Sequence, residues 1–124
     1  MNDPMPTETK LRLRVVFGDG IMIGPGKVEL LEHIRDTGSI SAAGRAMGMS
    51  YKRAWMLVEV MNAAFCDPLV ASVRGGPQGG GAQLTETGVQ VVAHYRAMGA
   101  KARAATAAEV DALRGMLKDM SGGK

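Results

Sequence analysis

The spacing of apolar residues changes near residue 27 of this 124-residue chain, and the change predicts a β-hairpin followed by helices. Apolar and basic residues alternate over positions 11–15, which predicts a strand with one wet face from Leu11 to about Phe17. Asp19-Gly20 is a turn pair, and Ile21 to Ile23 can return as a short second strand. The Gly-Pro-Gly sequence that follows ends this hairpin.

From Lys27 onward, apolar residues recur every three to four positions, as on one face of a helix. The recurrence predicts a helix that ends at Gly38, a short helix over Ile40 to Met47, and a third helix from Ser50 to about Ala64. Asp67-Pro68 then stops the helical pattern, because the residue before proline disfavours helical backbone.

The segment from Ser39 to Met61 has the layout of a helix-turn-helix, with two helices joined by a three-residue turn. Steeply crossing helices need a residue with almost no side chain at their contact, and Ala43-Gly44 supplies it. Gly48 permits the positive backbone torsion of the turn. We expect the Met49 side chain to pack into the core and anchor the turn, and Ser50 to cap the second helix.

A second hairpin is predicted after this motif, with strands at Leu69 to Val73 and Ala82 to Leu84. Five of the seven residues of its tip, residues 75–81, are glycines, so the backbone there can approach another molecule closely. The hairpin makes the motif a winged one whose tip can reach phosphates or the minor groove. The alternative for the glycine-rich tip is a loop that contacts no other molecule. It does not fit a nucleotide-binding loop, because the Lys-Ser/Thr pair that such a loop requires is missing from it.

The second helix of the motif carries an aromatic hydroxyl and two cations near its start, at Tyr51, Lys52 and Arg53. A helix in the major groove needs such side chains to reach base edges and phosphates. An ordinary solvated face is the alternative for the two cations, and packing against the neighbouring helix is the alternative for Trp55. The predicted DNA-binding set is Ser39, Ser41, Ser50, Tyr51, Lys52, Arg53, Trp55, Arg74, Gly75, Gly76 and Gln78.

The last third of the chain is predicted to be helical from about Glu86, capped by Thr85, as one long helix or as two helices broken near Gly99. Its end carries an apolar stripe at helical spacing that a lone monomer of this size would struggle to bury. We therefore predict a homodimer through this stripe, and the alternative is that the stripe folds back onto its own domain. The predicted dimerisation residues are Val110, Leu113, Leu117 and Met120.

Composition narrows the function classes. With 46% hydrophobic and 22% charged residues the chain can bury one core, which excludes disorder throughout. A single cysteine excludes an intramolecular disulfide. The two histidines are 61 positions apart and give no local metal or catalytic arrangement, so we expect neither a metal nor an enzyme. No apolar run or leader pattern indicates a membrane, and we expect a cytoplasmic protein. The net charge of +3 is compatible with nucleic acid.

The segments IGPGKVELLEHIRDTGSISAAGRAMGMSYKRAWMLVEVMN, DPLV, and RGG followed by GGGAQLTETG resemble the N-terminal domain of ModE-type molybdate-responsive transcription regulators. The resemblance covers Leu11 to Arg96, and its SYKRAW and GGGAQLT blocks are specific. It implies a domain that dimerises through helices and binds palindromic operators, with residues 50–53 on the recognition helix and Arg74 with the glycine tip as the wing. Such regulators carry C-terminal oxyanion-binding modules. Because about 30 residues follow Arg96, we expect no molybdate-binding module and no cofactor.

The expected fold is mainly α with small β-hairpins, a winged helix-turn-helix with a long C-terminal helix for dimerisation. We expect a disordered tail at 1–9, the DNA-binding domain at 10–96, a helical dimerisation segment at 97–120 and disorder at 121–124. The predicted function is sequence-specific binding of double-stranded DNA by a transcription regulator, and the resemblance implies molybdate-related genes as its targets. The alternative is a winged-helix module that binds proteins without specific DNA binding.

Overall fold

The structure, a computed structural model, describes residues 9–74 and 81–118. It confirms the predicted fold class, a mainly helical winged helix-turn-helix with two antiparallel hairpins, each forming its own two-stranded sheet. Disorder is expected at residues 1–9 and 121–124, and of these, residues 1–8 and 121–124 lie outside the described residues, as do residues 119–120 of the predicted helical segment. The elements are β1 Val15–Gly18, β2 Ile21–Ile23, α1 Pro25–Thr37, α2 Ile40–Ala46, α3 Tyr51–Ala64, β3 Val70–Val73, β4 Gly81–Leu84, α4 Glu86–Ala105 and α5 Ala107–Gly115.

The first strand is shorter than its alternating pattern predicts. Residues 11–14 alternate between half-buried leucine and exposed arginine as expected, but they are not a strand. The reason is the partner: β2 has three residues, and its last residue, Ile23, already pairs with Val15. Beyond it Gly24 leads directly into α1, so no backbone remains to pair with residues 11–14. The alternating pattern correctly predicted which side chains of residues 11–14 are exposed and which are half-buried. It could not show that no strand is available to pair with them.

The core lies where α1 packs against the helix-turn-helix. Val28, Leu30, Leu31 and Ile34 of α1 are fully buried, as the predicted apolar face of that helix requires. The second and third helices also turn one side inward, and their fully or almost fully buried residues are Ala43, Ala54, Val58 and Met61. The helical periods of the sequence therefore identified the core correctly.

The C-terminal helices differ from both predicted alternatives. α4 continues through Gly99 without a break and ends at Ala105, and the break before α5 comes at Thr106. α4 is tied to the body of the domain by Tyr95, whose buried hydroxyl donates to the carbonyl oxygen of Leu13 at 2.6 Å. Arg96 forms a bidentate pair with Glu32 of α1 at 2.8 and 2.6 Å, and this bonding lowers the pKa of Glu32 below its ordinary value.

α5 ends at Gly115, so the helix stops earlier than the spacing of its apolar residues predicts. Glycine is a poor helix former, and the amides of Met116 and Leu117 make tight three-residue bonds that close the last turn. Leu117 therefore lies beyond the helix and not on its face.

None of the helices within residues 9–74 and 81–118 has both the length and the apolar composition that a membrane span requires.

Candidate nucleic-acid interface

The start of α3 is presented to solvent by a serine cap. The Ser50 hydroxyl accepts a hydrogen bond from the amide of Arg53 at 3.1 Å, which satisfies one free N–H of the first helical turn. This first turn contains no acidic residue, and Lys52 and Arg53 are exposed on it. The helix dipole and the two cations therefore add up to one positively charged end that favours a phosphate.

The crossing of α2 and α3 is as tight as the sequence predicts. A Cβ atom placed on Gly44 would lie 2.9 Å from the Cβ of Ala54, closer than real side chains approach. The connecting turn has Gly48 at a φ of +72° and Met49 packed against the core. Together these contacts set the angle at which α3 stands out from the domain.

Asn62, which is not among the residues predicted from the sequence, links α3 to the wing. Its side-chain oxygen accepts from the amides of Leu69 and Val70 at 2.8 and 3.1 Å, and its amide donates to the Val70 carbonyl at 3.1 Å. Three hydrogen bonds from one half-buried side chain therefore hold the start of β3 against the last turns of α3. The pattern that could have flagged it is a lone polar residue beside the buried Met61 near the end of an apolar helix.

The other strand of the wing is attached to the turn before α2. The amide of Ala82 donates to the carbonyl oxygen of Gly38 at 3.0 Å, and a Cβ on Gly81 would lie 2.7 Å from that same oxygen. Glycine at 81 is therefore needed for this close approach. Arg74 is exposed at the end of β3. The predicted tip residues Gly75, Gly76 and Gln78 lie outside the described residues.

The outward face of α3 carries aromatic and aliphatic side chains as well as cations. Tyr51 and Trp55 stack, with ring centroids 6.5 Å apart and planes 10° from parallel, and they are 56% and 39% exposed. Trp55 thus lies at the surface against Tyr51 and does not join the buried core. Met56 and Val60 follow on the same helix and are each more than half exposed. This mixture can contact both the sugar-phosphate backbone and apolar base edges such as thymine methyl groups.

Four of the predicted residues, Ser39, Ser41, Tyr51 and Trp55, line one cleft of about 260 Å³ between α2, α3 and the wing strands. The Ser39 hydroxyl accepts from the Ala42 amide at 3.0 Å, and the Ser41 hydroxyl accepts from Arg45 at 2.9 Å. A hydroxyl that accepts in this way still has its own proton to donate, for instance to a phosphate oxygen. The structure thus brings these four together, whereas Lys52, Arg53 and Arg74 do not line this cleft.

The predicted dimerisation stripe is largely exposed. No residue of α5 is buried: Val110 is half-buried, and Leu113, Met116 and Leu117 are 63%, 79% and 71% exposed. The predicted fourth member, Met120, lies outside the described residues. Within the described ranges, Leu113 and Leu117 are therefore not buried against their own domain, whereas Val110 is partly buried.

Comparison with known proteins supplies the family context. No family model matches the chain. The chain is 39% identical to a molybdenum transport protein ModE of Azotobacter vinelandii over 104 residues, which are 84% of this chain. It is 47% identical to a molybdenum-pterin-binding protein MopB of Rhodobacter capsulatus over 79 residues, which are 64% of this chain. It is also 34% identical over 88 residues, 71% of its length, to a DNA-binding transcriptional dual regulator ModE of Escherichia coli K12. The chain carries a ModE-like winged helix-turn-helix domain.

This ModE-like domain corresponds to a part of its relatives. The matches cover 37%, 29% and 34% of the length of those three proteins, so the chain spans about a third of the curated relatives that it matches. The resemblance noted from the SYKRAW and GGGAQLT blocks is confirmed by these identities. The names of these relatives refer to molybdenum transport, molybdenum-pterin binding and DNA-binding transcriptional regulation.

Proposed function

We propose that this ModE-like domain is a sequence-specific, DNA-binding transcription regulator, with α3 in the major groove and the wing on the flanking backbone. The observation that carries the proposal is the exposed, capped start of α3, where Lys52, Arg53 and the helix dipole form one positive end. The relative named as a DNA-binding regulator supports the same role. DNA binding in this proposal needs no cofactor, and no catalytic role is assigned to the domain.

In the proposed complex, Lys52 and Arg53 contact phosphates and base edges at the start of α3. Ser39 and Ser41, from the start of α2, donate to the neighbouring backbone, as the first helix of such motifs does. Arg74, with Gly75, Gly76 and Gln78 of the wing tip, is proposed to contact the flanking DNA backbone. Tyr51 and Trp55 lie between these contacts and give α3 a rigid apolar flank.

The experiment is an affinity measurement with two double variants of equal charge change. Lys52→Ala/Arg53→Ala removes the positive end of α3, and Lys101→Ala/Lys118→Ala removes two exposed cations outside α2, α3 and the wing. Fluorescence anisotropy would use a duplex that the wild-type protein enriches from genomic DNA. We expect the first variant to lose about tenfold or more in affinity at moderate salt, with a shallower salt dependence, since each lost phosphate contact reduces the salt slope by about one.

The control variant should lose about threefold or less, because its cations act only through the general field of the protein. Equal losses in both variants would mean that net charge drives binding, and would contradict a specific role for α3. Unchanged affinity in the first variant would remove α3 from the interface.

We also propose that two copies pair through α5, placing two recognition helices on an inverted repeat with half-sites one turn of DNA or a multiple apart. A nine-residue helix without a buried side chain is marginal by itself, and pairing would cover its apolar residues. Leu113→Glu should make the protein monomeric in sedimentation, whereas Ala108→Glu on the same helix should leave it dimeric. A dimer that survives Leu113→Glu would contradict this interface.

The apolar residues on α3 favour one other candidate function, a winged-helix module that binds a protein. Tyr51, Trp55, Met56 and Val60 are exposed together, as at many protein interfaces. Selection of genomic DNA fragments distinguishes the two functions, since a protein-binding module would enrich no DNA sequence. The names of the relatives lead us to propose genes of molybdenum handling as targets, which the enriched genomic fragments would identify.

A further inference from the structure

A pocket of about 370 Å³ lies on a part of the domain that the proposed DNA interface does not use. Its walls come from the N-terminal segment 9–13, the start of α1 and the middle of α4, and none comes from α2, α3 or the wing strands. Leu11, Leu13, Pro25 and Tyr95 give it apolar walls. The volume falls in the range that small-molecule ligands occupy.

Cations from two separate parts of the chain converge on this pocket. Lys10 and Arg12 come from the N-terminal segment, and Arg96 and Arg103 come from α4. Arg96 is held by its bidentate pair with Glu32. Within residues 9–74 and 81–118, the ion pairs involve none of the other three cations.

The charge around the pocket is therefore strongly unbalanced. Among the described residues, Glu29 is the carboxylate that lines it, and after the Arg96–Glu32 pair is set aside, three lining cations face this carboxylate. Like charges around one concave site raise the local potential, and an anion that enters it relieves their mutual repulsion. The imbalance favours a ligand with about two negative charges.

The position of Arg103 also fits an anion site. Its side chain runs back along α4 by one turn, so that its Nη1 atom would lie 3.3 Å from a Cβ on Gly99. Gly99 itself lines the pocket, and its missing side chain leaves room for this guanidinium at the pocket edge. Guanidinium groups bind phosphate oxygens with two parallel hydrogen bonds, which a planar group held along a helix can offer.

The opposite wall is fixed as well. The buried Tyr95 hydroxyl bonds the Leu13 carbonyl, and this hydrogen bond holds the segment that carries Arg12 against α4. The N-terminal segment and α4, the two walls that carry the cations, are thus held together by a buried hydrogen bond.

We propose that this pocket binds a phosphate-type dianion, either free or as the phosphomonoester group of a small molecule. Arg12 and Arg103 bind the oxygens, Lys10 adds charge at the rim, and the apolar wall accommodates an attached organic group. The binding does not depend on the proposed DNA interface, so either assignment can fail without the other.

The test is titration calorimetry of the full chain with inorganic phosphate and with glycerol phosphate, at constant ionic strength in a buffer without oxyanions. Wild-type protein should give saturable binding of one ligand per chain. Arg12→Gln/Arg103→Gln should weaken it by about tenfold or more, since each charge-assisted contact contributes strongly. Lys101→Gln, which removes a cation from α4 two residues from Arg103, should change the affinity by about twofold at most. Circular dichroism verifies folding, since both substituted arginines are exposed.

Tighter binding of glycerol phosphate than of phosphate would identify the source as a phosphomonoester, and equal binding would identify the free anion; both support the site. Absence of saturable binding up to about 10 mM would overturn it, because general charge attraction alone gives only such weak association. Equal weakening by Lys101→Gln would also overturn it. So would a loss of DNA affinity in the double variant without any anion binding, because these cations would then be contacts to the DNA backbone.

Discussion

Replacing Asn62 by alanine should loosen the contact between α3 and the wing, because its side chain makes three hydrogen bonds to the backbone of Leu69 and Val70 at the start of β3. Each such bond contributes about 1 kcal/mol net, which gives roughly 3 kcal/mol for the three. Alanine is the better helix former and recovers about 0.6 kcal/mol. We therefore expect Asn62→Ala to lower the free energy of unfolding by about 2 kcal/mol.

Chemical denaturation followed by circular dichroism measures this loss directly, and for a chain of this length it corresponds to a fall in Tm of about 8 °C. Asn62→Asp keeps the oxygen that accepts from Leu69 and Val70 and should lose less. Gln90→Ala, at an exposed position of α4, should change the free energy of unfolding by about 0.5 kcal/mol at most. A loss below about 0.5 kcal/mol in Asn62→Ala would refute the reasoning, because the three backbone groups would then be satisfied equally well by water.

The remaining predictions concern the packing of α4 and the pH range of the domain. Gly88→Ala should cost about 2 kcal/mol or more, because its Cβ would overlap the Leu69 carbonyl, whereas Gly115→Ala, which meets open space, should be neutral or stabilising in the same denaturation assay. The lowered pKa of Glu32 means that its pair with Arg96 stabilises the fold above the ordinary pKa of 4.5 and is lost as the pH falls through the lowered value. The stability difference between wild type and Glu32→Gln should therefore shrink on acidification below pH 4.5, and a difference that stays constant would contradict this assignment.

Much of the fold could be predicted because its signals are local. The buried face of α1, the glycine turn at Gly48 and the serine cap at Ser50 each depend on residues within one or two helical turns. The structure confirms all three. Local spacing is sufficient there, since a helix buries the residues that recur at its own period.

The remainder depended on partners distant in the chain. The strand pattern at Leu11 to Arg14 could not show that β2 is too short to pair with it. Asn62 looks like an ordinary polar residue until its bonds to Leu69 and Val70 are seen. The cation pocket joins Arg12 to Arg103 across 91 positions of sequence, and no local period reports such a meeting.

The central claim is that this ModE-like domain recognises a DNA sequence. Selection of genomic DNA fragments by the purified chain at about 150 mM salt tests it most directly, because this salt screens much of the non-specific attraction to phosphates. We predict that the wild-type chain enriches an inverted repeat and that the Lys52→Ala/Arg53→Ala variant does not. Retention that is weak and independent of sequence, or no retention, would contradict it.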